Sequence, residues 1–243
     1  MIKAVRAFED VCQVRPGGKG ARVLLADGDA GRRYLGPALS RDGRRLAYVI
    51  DSDLWVRDLV TGDELHGTAQ SGPVLIRWRA DGTRLAVGEL DLASMRNEVC
   101  TYNADLSGEN EGRSCRGGGL RSGFAYRPDG RLWMTLSGGT RHSGRTVLCT
   151  LLPENGPSGC ADAFRVADPA FNLESPDLSP DGRLLAVVQA ASGTQGSIAL
   201  YEAATGALVR RLTAGPRDAA PVFSPTAGGS RSRVRGRGSG PRA

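Results

Sequence analysis

A phrase built around an Asp-Gly pair recurs four times in this chain, and such self-similarity constrains the fold more than any other feature of the sequence. The copies are ALSRDGRRLAYVI at 38–50, IRWRADGTRLAVGEL at 76–90, FAYRPDGRLWMTL at 124–136 and PDLSPDGRLLAVVQ at 176–189. Successive pairs lie about 40 to 50 residues apart, which is the length of one supersecondary repeat. The sequence therefore predicts an array of similar structural units.

Each copy of the phrase has the pattern of a β-hairpin. Asp-Gly between two apolar runs favours a tight primed turn, because glycine adopts positive φ without a steric clash and aspartate bonds the backbone ahead of it. The run after the turn, such as LAYV at 46–49 or LLAVV at 184–188, is rich in small and branched apolar residues. Such runs are typical of strands that are buried on both faces.

A second phrase follows each hairpin and supplies further strands. Its copies are DLWVRDLVTGDEL at 53–65, NEVCTYNADLSG at 97–108, RTVLCTLLPENG at 145–156 and GSIALYEAATGALVRRL at 196–212. In the first and last copies, Thr61-Gly62 and Thr205-Gly206 join the third strand to a fourth. Four strands per unit without a helical period predict an all-β protein, a β-propeller of four-stranded antiparallel blades.

The phrases SRDGRRLAYV, YRPDGRLWMT and SPDGRLLAVV, with LYEAATGALVRRLT after the last, resemble the repeat of TolB-like, WD-type bacterial β-propellers. The resemblance covers roughly residues 20 to 225. It implies the fold far more specifically than a function, because similar blades occur in periplasmic TolB, in WD-repeat proteins and in the substrate-gating domain of prolyl oligopeptidase-type proteases.

The ends depart from the repeat. Residues 22–36 have the pattern of the last two strands of a blade, and DAAPVFSP at 218–225 opens a fifth repeat in register. We expect a propeller over residues 1–225, with four full blades plus partial ones. If the strand at 221–224 joins the N-terminal strands, they form one composite blade; otherwise the ring stays open. The blades start near residues 38, 74, 122 and 176, with a broken one near 219.

Residues 226–243 are rich in Gly, Ser and Arg, and we expect no folded structure there. One interpretation is a basic tail that contacts nucleic acid or an acidic surface. The other, which we favour because the break falls within the motif, is a frameshift.

The charge does not indicate a nucleic-acid-binding protein. The formal net charge is +6, but the tail alone carries Arg231, Arg233, Arg235, Arg237 and Arg242 and no acidic residue, so the body is nearly neutral. No apolar run approaches the roughly 18 residues of a membrane span, and the first 20 residues lack the apolar stretch of a signal peptide. We therefore expect no nucleic-acid partner and no membrane span in this chain.

The cysteines indicate a compartment. Cys100 and Cys115 flank one predicted turn, and Cys149 and Cys160 flank the equivalent turn of the next blade, while Cys12 has no evident mate. We expect disulfides within the two pairs, and these favour an exported, periplasmic or extracellular protein. The alternative is a cytoplasmic protein in which the cysteines are ordinary buried thiols.

Signatures of catalysis or metal binding do not emerge from the sequence. It contains no Gly-x-Ser-x-Gly, no Cys-x-x-Cys and no phosphate-binding loop, and His66 and His142 fall in predicted turns. The repeated aspartates, Asp42, Asp81, Asp129 and Asp181, are explained by turn chemistry. Trp55, Trp78 and Trp133 fall on strands where packing between blades is expected. We predict no catalytic, cofactor or metal site.

Two functions are compatible with these features. The first is a non-catalytic interaction or scaffold module, of the cell envelope if the cysteines are oxidised, which binds a protein partner and no cofactor. The second is the regulatory propeller of a prolyl oligopeptidase-type or other multidomain enzyme without its catalytic domain. A downstream Gly-x-Ser-x-Gly region in the gene would favour the second.

Overall fold

The structure is a computed structural model, and the residues that it describes form strands and turns. The described residues contain no helix, and therefore none that is long and apolar enough to span a membrane. The structure describes residues 2–4, 11–13, 22–25, 34–68, 75–91, 96–108, 113–117, 120–136, 147–151, 160–165, 172–190, 196–214, 218, 221–223 and 234–235.

Four antiparallel four-stranded sheets form the blades, and in each sheet the strands follow one another in chain order. The first blade contains β4 (Leu35–Leu39), β5 (Arg45–Ile50), β6 (Asp53–Asp58) and β7 (Glu64–Thr68). The second contains β8 (Leu75–Trp78), β9 (Arg84–Asp91), β10 (Arg96–Asn103) and β11 (Ser114–Gly117). The third contains β12 (Leu120–Tyr126), β13 (Leu132–Leu136), β14 (Val147–Leu151) and β15 (Cys160–Arg165). The fourth contains β16 (Asn172–Leu178), β17 (Leu184–Ala190), β18 (Ser197–Glu202) and β19 (Leu208–Arg211). The predicted fold class is confirmed.

The chain divides into two compact units, Met1–Gly118 and Gly119–Ala243. The first unit contains the first and second blades and an N-terminal sheet. Within this unit, β4 contacts β8, so the first strands of the two blades are neighbours. In the second unit, which contains the third and fourth blades, β12 contacts β16 in the same way.

The second strand of a blade is buried on both faces, as its apolar run predicts. In β5, Leu46, Tyr48 and Ile50 pack against the N-terminal sheet. Ala47 and Val49 point to the opposite face and pack against the second blade. The alternation of side chains along one strand therefore joins three successive sheets within the first unit.

The N-terminal sheet is formed by three strands, β1 (Ile2–Ala4), β2 (Val11–Gln13) and β3 (Arg22–Leu25), and β1 contacts β4. The expectation that residues 22–36 supply the last two strands of a blade is therefore wrong. Residues 22–25 follow two earlier strands, and Leu35 already begins the first blade. The short strands β1 and β2 lack the Asp-Gly signal, which explains why the pattern did not reveal them.

The fifth repeat begins with β20 (Val222–Phe223), which contacts β16 and pairs with β21 (Val234–Arg235). Asp177 in β16 accepts a hydrogen bond of 2.7 Å from the backbone N–H of Phe223. The strand pairing of Val234 and Arg235 departs from the expectation of an unstructured tail. The other residues of that tail lie outside the described part.

The first strands of three blades carry a β-bulge at the same place, six residues before the aspartate. Gly36 and Gly123 occupy this place in the first and third blades, with φ of 56° and 139°. Ser175 occupies it in the fourth blade, with φ of 48°. At Gly123 a Cβ atom would lie 2.8 Å from Cδ of Pro176, so the close approach of β12 and β16 requires glycine there.

Candidate interaction surface

The Asp-Gly turns are larger than the sequence predicts. In the first blade the N–H of Gly43 donates to the carbonyl of Ser40 (2.9 Å), and the N–H of Ser40 donates to the carbonyl of Arg45 (2.8 Å). Gly43 has φ of 74°, but Asp42 does not have positive φ. A primed two-residue turn of the type that Asn-Gly and Asp-Gly favour needs positive φ at both central residues, so that expectation is wrong.

A serine two residues before the aspartate forms hydrogen bonds within this turn. The Ser40 hydroxyl donates to Oδ1 of Asp42 (2.6 Å) and accepts from the N–H of Arg45 (2.8 Å). Oδ1 of Asp42 also accepts from the N–H of Arg44 (3.0 Å). The hydroxyl therefore stabilises the wider turn from within. The second blade forms the same turn with Arg79 at this position, so the hydroxyl is not required for it.

The fourth blade repeats this arrangement atom for atom. Ser179 donates to Oδ1 of Asp181 (2.5 Å) and accepts from the N–H of Leu184 (2.9 Å). The serine hydroxyl, followed by the backbone N–H of Arg183, lowers the pKa of Asp181 below its ordinary value, and the corresponding contacts lower the pKa of Asp42. Both carboxylates are held in the ionised form as parts of the turn.

Arginine replaces the serine in the other two blades. Arg79 pairs with Asp81 (2.9 Å), whose Oδ1 also accepts from the Thr83 hydroxyl (2.8 Å). Arg127 pairs with Asp129 over a longer distance (3.3 Å). The third loop is also one residue shorter, because the N–H of Arg127 donates to the carbonyl of Arg131, four residues on.

The loops between the third and fourth strands lie at the same end of the blades. Gly62 and Gly206 have φ of 85° and 77° in these loops, as the Thr-Gly pairs predict. In the first, second and fourth blades this loop bonds to the Asp-Gly loop of the same blade. The N–H groups of Leu59, Ala104 and Ala203 donate to the carbonyls of Arg44, Thr83 and Arg183. We call this end of each blade the Asp-Gly end.

Neighbouring blades contact each other at this end through their turns. In the first unit, Nη2 of Arg45 donates to the carbonyl of Gly82 (2.5 Å), and the Arg45 guanidinium lies 4.9 Å from the ring centroid of Trp78. The Trp78 indole donates to the carbonyl of Ala38 in the first blade (2.9 Å). Trp78 therefore packs between blades, as predicted.

In the second unit, the turn of the fourth blade lies against Pro128 of the third. A Cβ atom at Gly182 would lie 2.7 Å from Cγ of Pro128. Trp133 is buried among residues of the fourth blade, and the Arg127 guanidinium lies 5.1 Å from its ring centroid. The packing role expected for Trp133 is confirmed.

A hollow of about 290 Å³ opens at the Asp-Gly end of the second unit. It combines apolar, cationic and carboxylate side chains. None of the described residues that line it is a serine, cysteine or histidine, the usual nucleophiles and bases of hydrolases. Its lining residues are Arg127, Pro128, Asp129, Trp133, Leu178, Asp181, Gly182, Ala203 and Ala204.

A disulfide joins Cys100 to Cys115, which are directly opposite each other in β10 and β11. Glu89 lies beside these two sulfurs, and the three residues could form a metal-ligand group only if the cysteines were thiolates. The cysteines are bonded to each other in this structure.

The other cysteines are described in part. The register of β14 and β15 pairs Cys160 with Leu151, two residues beyond Cys149. The side chains of Cys12, Cys149 and Cys160 lie outside the described part. The predicted Cys149–Cys160 bridge therefore stays a prediction.

A buried charge network lies near the disulfide, and the sequence analysis did not predict it. Glu89 is 3% exposed, accepts a hydrogen bond from the Tyr102 hydroxyl and forms an ion pair with Arg113 (3.0 Å). Burial, followed by the hydrogen bond to Glu89, raises the pKa of Tyr102 above its ordinary range. In the fourth blade Gln189 occupies the equivalent position and bonds to Tyr201. Aligning the copies reveals the signal, an acid or amide eight residues after the aspartate.

Neither histidine contributes to the described part of the Asp-Gly end. His66 lies in strand β7, so the expectation that it falls in a turn is wrong, and it stacks on Trp55 of β6 with ring centroids 4.7 Å apart. Trp55 packs against the cluster between the N-terminal sheet and the first blade. His142 lies outside the described residues.

No protein-family model matches the sequence. No curated protein matches it either.

Solved structures do match the fold. TolB from Acinetobacter baumannii is similar over 88% of this chain, with 20% identity and a TM-score of 0.68. A chain of a nidogen/laminin complex is similar over 89% of this chain and 79% of its own length (14% identity, TM-score 0.59). A prolyl endopeptidase is similar over 79% of this chain and 30% of its own length (18% identity, TM-score 0.52).

The chain corresponds to about half of the length of the Acinetobacter TolB, 51%. The repeated four-stranded blades and these similarities agree. The chain has the fold of the TolB-like, WD-type β-propellers.

Proposed function

We propose that this chain is a non-catalytic propeller module that binds a protein partner through the Asp-Gly end of its blades. The observation that carries the proposal is the self-contained bonding of the turns. The aspartates are engaged by hydroxyl, guanidinium and backbone donors of their own loops. Such a surface is rigid before a partner arrives, which reduces the entropy lost on binding.

The composition of the hollow supports a protein as the ligand. Tryptophan and arginine are enriched in protein interfaces, and Trp133 and Arg127 both line the hollow. Carboxylates at Asp129 and Asp181 add polar groups that can select a partner by charge. The nidogen/laminin structure supports the class of function, because a propeller of similar fold occurs there in a complex with another protein.

Capture of partners by surface variants tests this proposal. The purified chain would be crosslinked in cell-envelope and cytosolic fractions, and the bound proteins identified by mass spectrometry. Arg183 is exposed at the Asp-Gly end, whereas Arg210 is exposed on the outer strand β19. We expect Arg183→Glu to abolish capture of a protein that Arg210→Glu still captures. Equal capture by both variants would contradict the proposed surface.

A second function rests on the prolyl endopeptidase similarity. In this alternative the chain is the propeller of a multidomain hydrolase and regulates access to a separate catalytic domain. The nucleotide sequence of the gene distinguishes the two functions. A catalytic region with Gly-x-Ser-x-Gly continuous with this chain would support the hydrolase, and further blades would support the binding module.

A further inference from the structure

We propose that, among the four Asp-Gly pairs of the blade turns, Asp129-Gly130 converts fastest to isoaspartate in the folded protein. Asp-Gly pairs are chemically labile, because the glycine nitrogen has no neighbouring side chain that hinders its attack on the aspartate carboxyl carbon. The chain carries five such pairs. Four of them lie in equivalent turns of the blades and serve as controls for one another, whereas Asp27-Gly28 lies outside the described residues.

The reaction is an isomerisation that needs only water. The Gly130 nitrogen forms a bond to Cγ of Asp129, the bond from Cγ to one carboxyl oxygen breaks, and that oxygen leaves as water with the amide and carboxyl protons. One water molecule then opens the cyclic imide. Opening at the original backbone carbonyl leaves the chain connected through Cγ, which is isoaspartate.

All four turns oppose the attack through the glycine nitrogen. The glycine N–H donates to the backbone carbonyl three residues earlier in each turn, at 2.8 to 2.9 Å. The nitrogen lone pair and the direction of this N–H are therefore fixed by the turn. This protection is the same in the four blades and does not distinguish them.

The carboxylates distinguish the four turns. Before Cγ reacts, the carboxylate must leave its hydrogen bonds. A side-chain hydroxyl donates to Asp42, Asp81 and Asp181 at 2.5 to 2.8 Å. The corresponding residues around Asp129 are Arg127 and Arg131, which have no hydroxyl.

The remaining contacts of Asp129 do not replace the missing hydroxyl, because its ion pair with Arg127 is partly exposed and exposed ion pairs contribute little. Its Oδ1 accepts from the N–H of Arg131 (3.0 Å), as in the other turns. Its ion pair with Arg127 measures 3.3 Å, against 2.9 Å for the pair of Arg79 with Asp81. The side chain of Asp129 is 42% exposed, so water reaches the imide once it forms.

The modification would act on the contact between two blades. Isoaspartate inserts an extra methylene into the backbone of the turn that places Pro128 against Gly182. We therefore expect ageing of the protein to loosen the fourth blade from the third before the other turns are affected.

Ageing the full chain at neutral pH tests the proposal, with each site followed by peptide mapping and by methyl transfer from S-adenosylmethionine with an isoaspartyl methyltransferase. One lost hydrogen bond to a charged group predicts conversion at Asp129 about tenfold faster than at Asp42 or Asp181. In denaturant we expect the four sites to convert at similar rates. Equal rates in the folded protein, or the same preference in denaturant, would overturn the proposal.

Two reciprocal variants isolate the hydroxyl. Arg127→Ser gives the third turn the residue found in the first and fourth, and we expect it to slow conversion at Asp129. Ser179→Ala removes the hydroxyl from the fourth turn, and we expect it to accelerate conversion at Asp181 with Asp129 unchanged. Because Ser179→Ala leaves the third blade intact, it stands as a test even if Arg127→Ser does not fold. An unchanged rate at Asp181 would contradict the proposed protection.

Discussion

Arg45 of the first blade bonds to the carbonyl of Gly82 at the centre of the second blade's turn, so one guanidinium joins two repeats. The same group lies over Trp78. Arg45→Met should therefore lower the free energy of unfolding by about 1–2 kcal/mol, through loss of a hydrogen bond and a cation–π contact.

Arg44 supplies the matched control for this substitution. It forms an exposed ion pair with Asp58 (2.7 Å) within its own blade. Arg44→Met should cost less than about 1 kcal/mol, because surface ion pairs contribute little. Urea unfolding of the two variants checks the difference, and equal losses would show that the contact between blades is not stabilising.

Gly182 and Gly43 have almost the same φ, 72° and 74°, but different surroundings. A Cβ atom at Gly43 meets nothing within 4 Å, whereas one at Gly182 lies 2.7 Å from Cγ of Pro128. Gly43→Ala should cost about 1–2 kcal/mol from the left-handed backbone alone, and Gly182→Ala about 1–3 kcal/mol more from the clash. Gly182→Val should be at least as damaging. Denaturant unfolding of both alanine variants measures the difference, and equal losses would contradict the proximity of the blades.

Arg113 compensates the buried charge of Glu89. Arg113→Ala should destabilise the chain by about 3–5 kcal/mol, because it leaves a carboxylate buried without a cation. Glu89→Gln should recover much of this loss, since Gln189 occupies the equivalent position in the fourth blade. A double-mutant cycle measured by thermal and urea unfolding checks the coupling. Additive effects of the two substitutions would refute it.

The disulfide of Cys100 and Cys115 closes a loop with a sequence separation of 15. Reduction, or replacement of both cysteines by serine, should lower the free energy of unfolding by up to about 3 kcal/mol on the loop-entropy model. The melting temperature in the presence and absence of a dithiol measures this effect. Mass spectrometry of the native, non-reduced protein should find these two thiols resistant to alkylation. Full alkylation would show that the bridge does not form in solution.

The pKa of Asp181 is lowered by the Ser179 hydroxyl and the backbone N–H of Arg183. A carboxylate whose pKa is lower in the folded state stabilises the fold above its unfolded pKa, near 3.8, and loses that contribution as the pH falls through the folded pKa. Ser179→Ala should raise the pKa of Asp181 and reduce the loss of stability in acid below about pH 4. NMR titration of the Asp181 carboxyl carbon checks the direction, and an unchanged pKa would contradict the role of Ser179.

The sequence predicts the blades well because their signals are local. Asp-Gly and Thr-Gly pairs mark the loops, and the apolar run of β5 reveals its two buried faces. The predicted form of the Asp-Gly turn was wrong, because backbone hydrogen bonds close a longer loop even in the second blade, where Arg79 replaces the serine. The contact of Arg45 with Gly82 joins distant residues, and no period in the sequence indicates it.

The buried network around Glu89 could not be predicted from the sequence, for a different reason. Glu89 lies in an apolar run and was not distinguished there from a solvent-facing residue. Its partners, Tyr102 on the next strand and Arg113 near the start of β11, are found only when the strands are placed in register. A comparison of the copies shows that the position is polar in two blades, but only the structure shows what neutralises the charge in the second.

The hydroxyl of Ser40 and the carboxylate of Asp42 are bonded within their own turn, and those of Ser179 and Asp181 are bonded in the same way. These side chains therefore need no hydrogen-bond partner from a neighbouring blade. A gene segment that encodes one such blade therefore carries with it the bonds that close this turn when it is duplicated in tandem. Duplication followed by substitution at positions such as Glu89 and Gln189 would give blades that share this turn and differ in their buried polar groups.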